Sequence, residues 1–272
     1  MKISISKIKE LRKFTGIGIM ECKKALINSN GDIKKAIFFL KKEGKKISIN
    51  FSKNKTDEGA LISYIKNDDT FGTILGISCE TDFLSKSKDF LNLLYDLSKK
   101  SVSYNYKIDF LNSSYNNEET VNDFIKNKIV IFKEKIKISV FETIKAPYVI
   151  NYTHNNKIAA LVGFSKKIEK YIAKNIAMHI VAMNPLSISE NDFPKNILKE
   201  EKNIIRQQVE NENKEKQTKI IEKIIIGKIK KLILDNTLIN QKFIKDNSLT
   251  VNEYINKFEK DFNILSFKRI NI

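Results

Sequence analysis

Asp82 and Phe83 stand together inside the stretch CETDFLSKSKDF, Cys79 to Phe90, where an apolar strand-like run gives way to a helix-like one. An acid beside a large aromatic at such a junction has two uses. The Asp can accept from the free N–H groups of the first helical turn while the Phe packs locally as a staple, and in an isolated sequence this is the commoner use. The alternative is an exposed Phe at a loop tip, which offers an interface much area to bury and few rotamers to freeze. Other residues able to do chemistry are sparse. His154 and His179 are the two histidines, too few and too separated for most zinc or hydrolase arrangements. Cys22 and Cys79 fall far apart in helix-like and strand-like contexts, so they read as reduced packing residues and not as a disulfide or metal framework. The chain contains no G-x-x-x-x-G-K-[ST], no G-x-G-x-x-G after a strand and no H-E-x-x-H. With no cluster of titratable groups to form an active site, the reading is of a protein that is not an enzyme and needs no cofactor.

Composition narrows the class further. A chain of 272 residues can bury a substantial core and divide into two or more modules. Hydrophobic residues make up 42% and charged residues 30%, as in a globular protein. No apolar run approaches the roughly 20 residues of a membrane helix. The N-terminal MKISISKIKELRKF interleaves Lys with Ile and lacks the continuous apolar segment of a secretion signal. The expectation is a cytoplasmic protein without a membrane partner. The formal net charge of +17 invites a nucleic-acid reading, because Lys and Arg neutralise phosphates. The pattern opposes it: the arginines are only Arg12, Arg206 and Arg269, although Arg is the usual bidentate reader of bases and phosphates. Lys is scattered among Asn and Ile, which reads as a solvated surface, and no DNA partner is expected.

The elements that must position Asp82 and Phe83 follow from apolar spacing. Up to about residue 50 the chain reads as three short helices. Ile5, Ile8 and Leu11 form one stripe, Ile19, Cys22 and Leu26 a second, and Ile33, Ala36, Ile37 and Leu40 a third at i, i+3, i+4, i+7. TGIG (Thr15–Gly18) links the first two helices tightly, and NGD (Asn30–Asp32) supplies a turn and an Asp N-cap for the third. Arg12 and Met20 lie beside these stripes, not within them. KKEGKKISINFSKNKTDEG then has the polarity of a linker. From Ala60 the period becomes two, with Leu61, Ser63, Ile65 and then Thr73, Leu75, Ile77, Cys79 around a turn at Asn67–Asp69, which predicts a hairpin. A helix follows on Phe90, Leu93, Leu94 and Leu97.

The same order returns later, with YVINYTH, the turn Asn155–Asn156, KIAALVGFS and a helix on Ala173, Ile176, Ala177 and Ile180. The core is therefore read as a duplicated hairpin-plus-helix unit. Superposing the helix stripes sets Leu75, Ile77 and Cys79 on Ile158, Ala160 and Val162, all apolar, while Asp82 and Phe83 fall on Ser165 and Lys166. The scaffold manages this junction without an acid or an aromatic. His179 lies off the Ile176/Ile180 stripe and reads as a partly buried structural histidine. His154, at the tip of the second hairpin, reads as a contact residue. After NPLSISENDFP, helix-like segments at about 194–211 and 215–234 are separated by polar NENKEK. They predict an antiparallel helical hairpin with a seam of Ile197, Leu198, Ile204, Ile205 and Val209 against Ile220, Ile221, Ile224, Ile225, Ile229, Leu232 and Ile233. ILSFKRINI alternates like a final strand.

These residues carry a resemblance. LRKFTGIGIMECKKAL is similar to the N-terminal signature of the bacterial elongation factor Ts family, L-R-x-x-T-G-x-G-x-M-x-C-K-K-A-L, and CETDFLSKSKDF resembles its second signature, centred on T-D-F. THNNKIAALVGF and IAMHIVAMNPLSI resemble the family's second core repeat, and GKIKKL, Gln241 with Phe243, and TVNEYI fit the region after the hairpin. The resemblance implies an α+β fold. Its parts are a three-helix ubiquitin-associated-like module (1–50), a duplicated hairpin-plus-helix core with antiparallel sheets, and an inserted helical coiled-coil hairpin (191–234). The core divides into an N-terminal subdomain (57–146) and a C-terminal subdomain (147–190 and 235–272).

It also implies exchange of guanine nucleotide on elongation factor Tu, in its GDP-bound and nucleotide-free forms, with no direct nucleotide binding by this chain. Thr81, Asp82 and Phe83 match the loop that disturbs the partner's phosphate and Mg²⁺ site. Arg12, Ile19, Met20 and Lys23 match positions that grip a helix of the same partner domain, and His154 and Lys174 match positions that face another. The helical hairpin has two uses in the family, self-association as a homodimer and partner contact, and the sequence does not choose between them. Two departures stand out. Ile19 replaces one of two successive methionines, a loss of flexible apolar contact. Many members continue past the last strand into a short helix that touches the partner, whereas this chain stops at Ile272, so the resemblance implies that this contact is missing and affinity lower. The competing reading is a basic ribosome- or RNA-associated translation protein without exchange activity, which would bind RNA with a steep salt dependence.

Overall fold

The computed structural model describes residues 3–50, 54–117, 119–212, 215, 217–258 and 261–272, excepting the side chains of 41 and 44–50. Contacts divide the chain into two units, residues 1–62 with 74–142 and 272, and residues 63–73 with 143–271. Among the described residues no helix is long and apolar enough to cross a membrane.

In the first unit, α1 (Ile5–Thr15) starts at Ser4, whose hydroxyl accepts from the Lys7 N–H, and stops at Gly16 in the left-handed region, φ 68°. Next come α2 (Ile19–Asn28) and α3 (Ile33–Asn50), the latter capped by Asp32 Oδ1 accepting from Lys35 N–H at 3.0 Å. Ile8, Leu11, Cys22, Ala25, Leu26, Ala36 and Leu40 close their shared core. Ile5 and Ile19, expected on the core stripes, are exposed. Each is the first residue of its helix, before the facing helices enclose the stripe, and Ala25 takes the place of Ile19. Through residue 50, α3 also absorbs the first half of the stretch expected to be a linker. Lys and Glu are good helix formers and no proline interrupts them, so polarity alone did not end the helix. Residues 51–53 of that stretch lie outside the described residues.

β1 (Glu58–Ile65) and β2 (Phe71–Cys79) form the first hairpin, followed by the single turn α4 (Asp82–Ser85) and then α5 (Lys88–Ser101). Phe90, Leu93, Leu94 and Leu97 of α5 are buried against Leu75, Ile77 and Cys79. The chain continues through α6 (Lys107–Asn112), the small ribbon β3 (Ser114–Asn116) and β4 (Glu119–Thr120), and α7 (Val121–Phe132). From α7, Val121, Ile125 and Ile129 complete the cluster on α5, while its Val130 and Ile131 pack against the three-helix core. β5 (Lys137–Lys145) is the third strand of the sheet, in the order β1-β2-β5. β2 carries Gly76 because β5 comes close: a Cβ there would meet Val140 Cβ at 2.9 Å. Gly76→Ala is expected to cost about 1–3 kcal/mol by overpacking, read as a lower urea midpoint with an unchanged slope.

The second unit repeats the plan. β6 (Tyr148–His154) and β7 (Ile158–Phe164) pair antiparallel with Tyr148 opposite Phe164 and His154 opposite Ile158. Their turn has positive φ at Asn155 (49°) and Asn156 (54°), the backbone that suits right-twisted hairpins and that Asn tolerates. α8 (Lys170–Met183) lays Ala173, Ile176, Ala177 and Ile180 on this sheet. α9 (Lys195–Glu212) and α10 (Thr218–Asp235) follow, then β8 (Lys242–Phe243), β9 (Asp246–Thr250), α11 (Val251–Asn256) and β10 (Ile264–Asn271). β10 pairs antiparallel with β7, giving the order β10-β7-β6. Each hairpin thus gains a third strand beside its second one.

α9 and α10 bury Ile205, Val209 and Ile225 between them, with Ile221, Ile224, Ile229 and Leu232 half-covered. Ile204 and Ile220, expected in that seam, are exposed. Ile204 lies more than a quarter of the way round the helix from the narrow Ile205/Val209 stripe, and Ile220 lies in the first turn of α10, beyond the buried stretch. Of the polar link between the two helices, residues 213, 214 and 216 lie outside the described residues.

Candidate functional site at the Thr81–Phe83 tip

β2 delivers the chain to Thr81 in extended conformation, φ −121° and ψ 151°, and Thr81, not Asp82, caps α4, its hydroxyl accepting from the Leu84 N–H. The capping role that Asp at such a junction suggests is therefore filled by its neighbour. Asp82 is already the first helical residue, and its carboxylate faces outward to Lys86 Nζ at 2.7 Å, one turn on. That hydrogen bond, aided by the lysine's charge, holds the Asp82 carboxyl below the usual carboxylate range. Nor is Phe83 a staple: its ring is 84% exposed, more than any other large apolar side chain among the described residues. Lys86→Ala should move the Asp82 midpoint back up toward its ordinary value, followed by NMR titration of the carboxyl carbon.

Below the exposed ring the tip is tied down. Thr81 donates twice to one carboxylate, its N–H to Glu134 Oε2 at 3.0 Å and its hydroxyl to Glu134 Oε1 at 2.6 Å. Glu80 reaches the opposite way, accepting from Lys135 N–H at 2.6 Å and, with both oxygens, from Asn54 Nδ2 at 2.9 Å. Ser85 Oγ donates to the Asp82 carbonyl at 2.9 Å. The second repeat is built differently at the matching point. Ser165 donates its N–H to the Asn263 carbonyl and accepts from the Asn263 N–H on its hydroxyl, both at 3.0 Å, and no helical turn intervenes before α8.

The remaining candidates are all at the surface. Arg12 is exposed near the end of α1. On α2, Met20 and Lys23 are three apart and Ile19 and Lys23 four apart, so they share a face, with Met20 70% and Ile19 51% exposed. In the other unit, His154 is exposed at its hairpin turn, within 3.3 Å of the Tyr152 hydroxyl and of Asn155 Nδ2. It borders a cavity of about 460 Å³ lined also by Ile158, Met178, Lys245 and Arg269. Lys174 lies on the exposed face of α8.

His179 is fully buried, deeper than its place beside the stripe suggested, and structural. Its Nδ1 accepts from the Ile244 N–H at 3.2 Å, so the proton is on Nε2, which donates to Gln241 Oε1 at 3.0 Å. Burial lowers its pKa. Cys22 and Cys79 are buried and form no disulfide. Among the described residues no group of three or more His, Cys, Asp or Glu could hold a metal ion. Spacing alone could have announced Lys86, four residues from Asp82; Glu80 and Glu134 carried no such signal.

The fold and this site define an α+β protein with two three-stranded sheets, whose most distinctive feature is an exposed aromatic on a braced helical turn. The sequence model for Elongation factor TS matches residues 80–272. Proteins called elongation factor Ts from Christiangramia forsetii and Ehrlichia ruminantium are each 35% identical to it, the first covering 99% of this chain and 98% of its own length, the second 98% of both. That of Flavobacterium psychrophilum is 34% identical over 98% of this chain and 97% of its own. The chain belongs to the elongation factor Ts family, and so to the elongation factors of protein biosynthesis.

Proposed function

We propose that this chain is a guanine-nucleotide exchange factor, which binds elongation factor Tu carrying GDP and promotes loss of GDP and Mg²⁺. The observation that carries the reading is the Phe83 ring, exposed on the single helical turn α4, whose base is fixed by Glu134 and Glu80. A GDP-bound GTPase grips its nucleotide with backbone donors, a lysine and Mg²⁺ around the phosphates. A factor that speeds release must stabilise a partner conformation in which those groups are displaced. If it weakens GDP binding by some ratio, GDP weakens its own binding by the same ratio. Phe83 supplies the wedge, and Asp82, ionised at neutral pH and paired with Lys86, adds a negative charge and acceptors near the displaced groups.

The rest of the surface serves docking. Arg12, Ile19, Met20 and Lys23 of a ubiquitin-associated-like module (1–50) hold the same partner domain, and His154 and Lys174 of the C-terminal subdomain (147–190 and 235–272) meet another. α9 and α10 form a coiled-coil hairpin (191–234) that projects from the core, and the tip stands on the N-terminal subdomain (57–146). The protein works in the cytoplasm, without covalent chemistry of its own. Release of fluorescent GDP from elongation factor Tu, with and without catalytic amounts of this protein, tests the proposal. Acceleration at substoichiometric amounts is the expected outcome; no acceleration, together with salt-steep RNA binding, would replace it with the RNA-associated reading.

A further inference from the structure

We propose that Glu134 is the positioning residue of the exchange wedge, acting through Thr81 to aim Phe83. This rests on the exchange reading above. The tip cannot orient itself: α4 is four residues long, far below the length at which a helix holds its own shape, and the Phe83 ring has almost no packing within the chain. Leu84, half-buried on the adjoining core, and buried Ser85 seat the turn, and its direction is set at its root. There both oxygens of Glu134 are used on one residue, fixing the backbone of Thr81 through its N–H and its side chain through the hydroxyl. The same hydroxyl then accepts from Leu84 N–H, so Glu134 also fixes the cap on which the turn carrying Phe83 is wound.

Glu134 is itself held. Its neighbour Lys135 is bound through its N–H to Glu80, the residue before Thr81, so residues 80–81 and 134–135 brace each other with carboxylates pointing in opposite directions. Charge-assisted bonds of this kind are the strong ones, and two from one carboxylate fix angle as well as distance. A wedge held in its docking direction before contact loses less freedom on binding.

Glu134→Gln preserves size but turns one acceptor into an amide donor, which cannot take both Thr81 protons. GDP release at limiting factor should fall about tenfold, the effect of one lost charge-assisted bond. In a Phe83→Ala background the same substitution should change the rate by less than about twofold, because there is no ring left to aim. A merely structural role would lower both backgrounds alike, and that result overturns the proposal. The second readout needs no partner: the ¹⁵N heteronuclear NOE of the Phe83 amide should drop in Glu134→Gln and in Thr81→Val, and an unchanged NOE in folded variants overturns it as well. If Glu134→Gln leaves exchange intact while Phe83→Ala impairs it, the positioning role fails and the exchange reading stands. If Phe83→Ala has no effect, both fail.

Discussion

Phe83→Ala is expected to slow factor-stimulated GDP release by about 30- to 150-fold while leaving the melting temperature of the chain unchanged. The first number is the rate equivalent of about 2–3 kcal/mol, the worth of burying a Phe side chain. All of that energy is available to a partner, because the ring buries almost nothing at home. The second expectation has the same cause, since removing an exposed side chain takes no packing from the folded state. Thermal unfolding and a stopped-flow GDP-release assay on one preparation separate the two effects. Equal stimulation by variant and parent contradicts the wedge. A large loss of stability contradicts the exposed placement of the ring.

A comparable loss, this time of stability, is expected at His179. Truncation to Ala removes a ring stacked on Phe243 and leaves Gln241 Oε1 and the Ile244 N–H without their partner, a cost of about 3–5 kcal/mol. Gln241 cannot turn to compensate, because its Nε2 already donates to the carbonyls of Met183 and Asp235.

The same geometry gives a pH dependence. Burial keeps the folded pKa below the unfolded value of about 6.5, and a protonated Nδ1 would set an N–H against the Ile244 N–H. The folded chain then binds fewer protons than the unfolded one between those two values. Stability is fully present above about pH 6.5 and falls as the pH drops from there toward the folded pKa, by up to about 1.4 kcal/mol per pH unit. Urea unfolding at pH 7.5 and 5.5 should show the loss in the parent, and a smaller one in His179→Ala.

Periodicity made the two hairpin-plus-helix units readable, because Phe90 to Leu97 and Ala173 to Ile180 each lie on a wide buried stripe. β5 was not readable in the same way. Only Ile138 and Ile144 in Lys137–Lys145 are buried, and Ser139, Glu142 and Thr143 between them blur the alternation of an edge strand. Helix starts misled for a related reason: Ile5 and Ile19 have the right spacing but no neighbour to cover them. At the candidate site, the junction and its contrast with Ser165 and Lys166 could be read from the repeat. The carboxylates under it could not, since Glu134 lies 53 residues from Thr81 and meets it only once the strand after α7 returns beside β2.

The two native thiols offer a practical consequence. Cys22 and Cys79 are both sealed from solvent, and burial raises the Cys22 pKa, so neither presents an accessible thiolate to an alkylating dye. A single cysteine introduced on the surface, for example Lys88→Cys behind the tip, would be the site that reacts with maleimide in the native state. The chain is thereby ready for fluorescence or spin-label readouts of docking without first stripping its own sulfur.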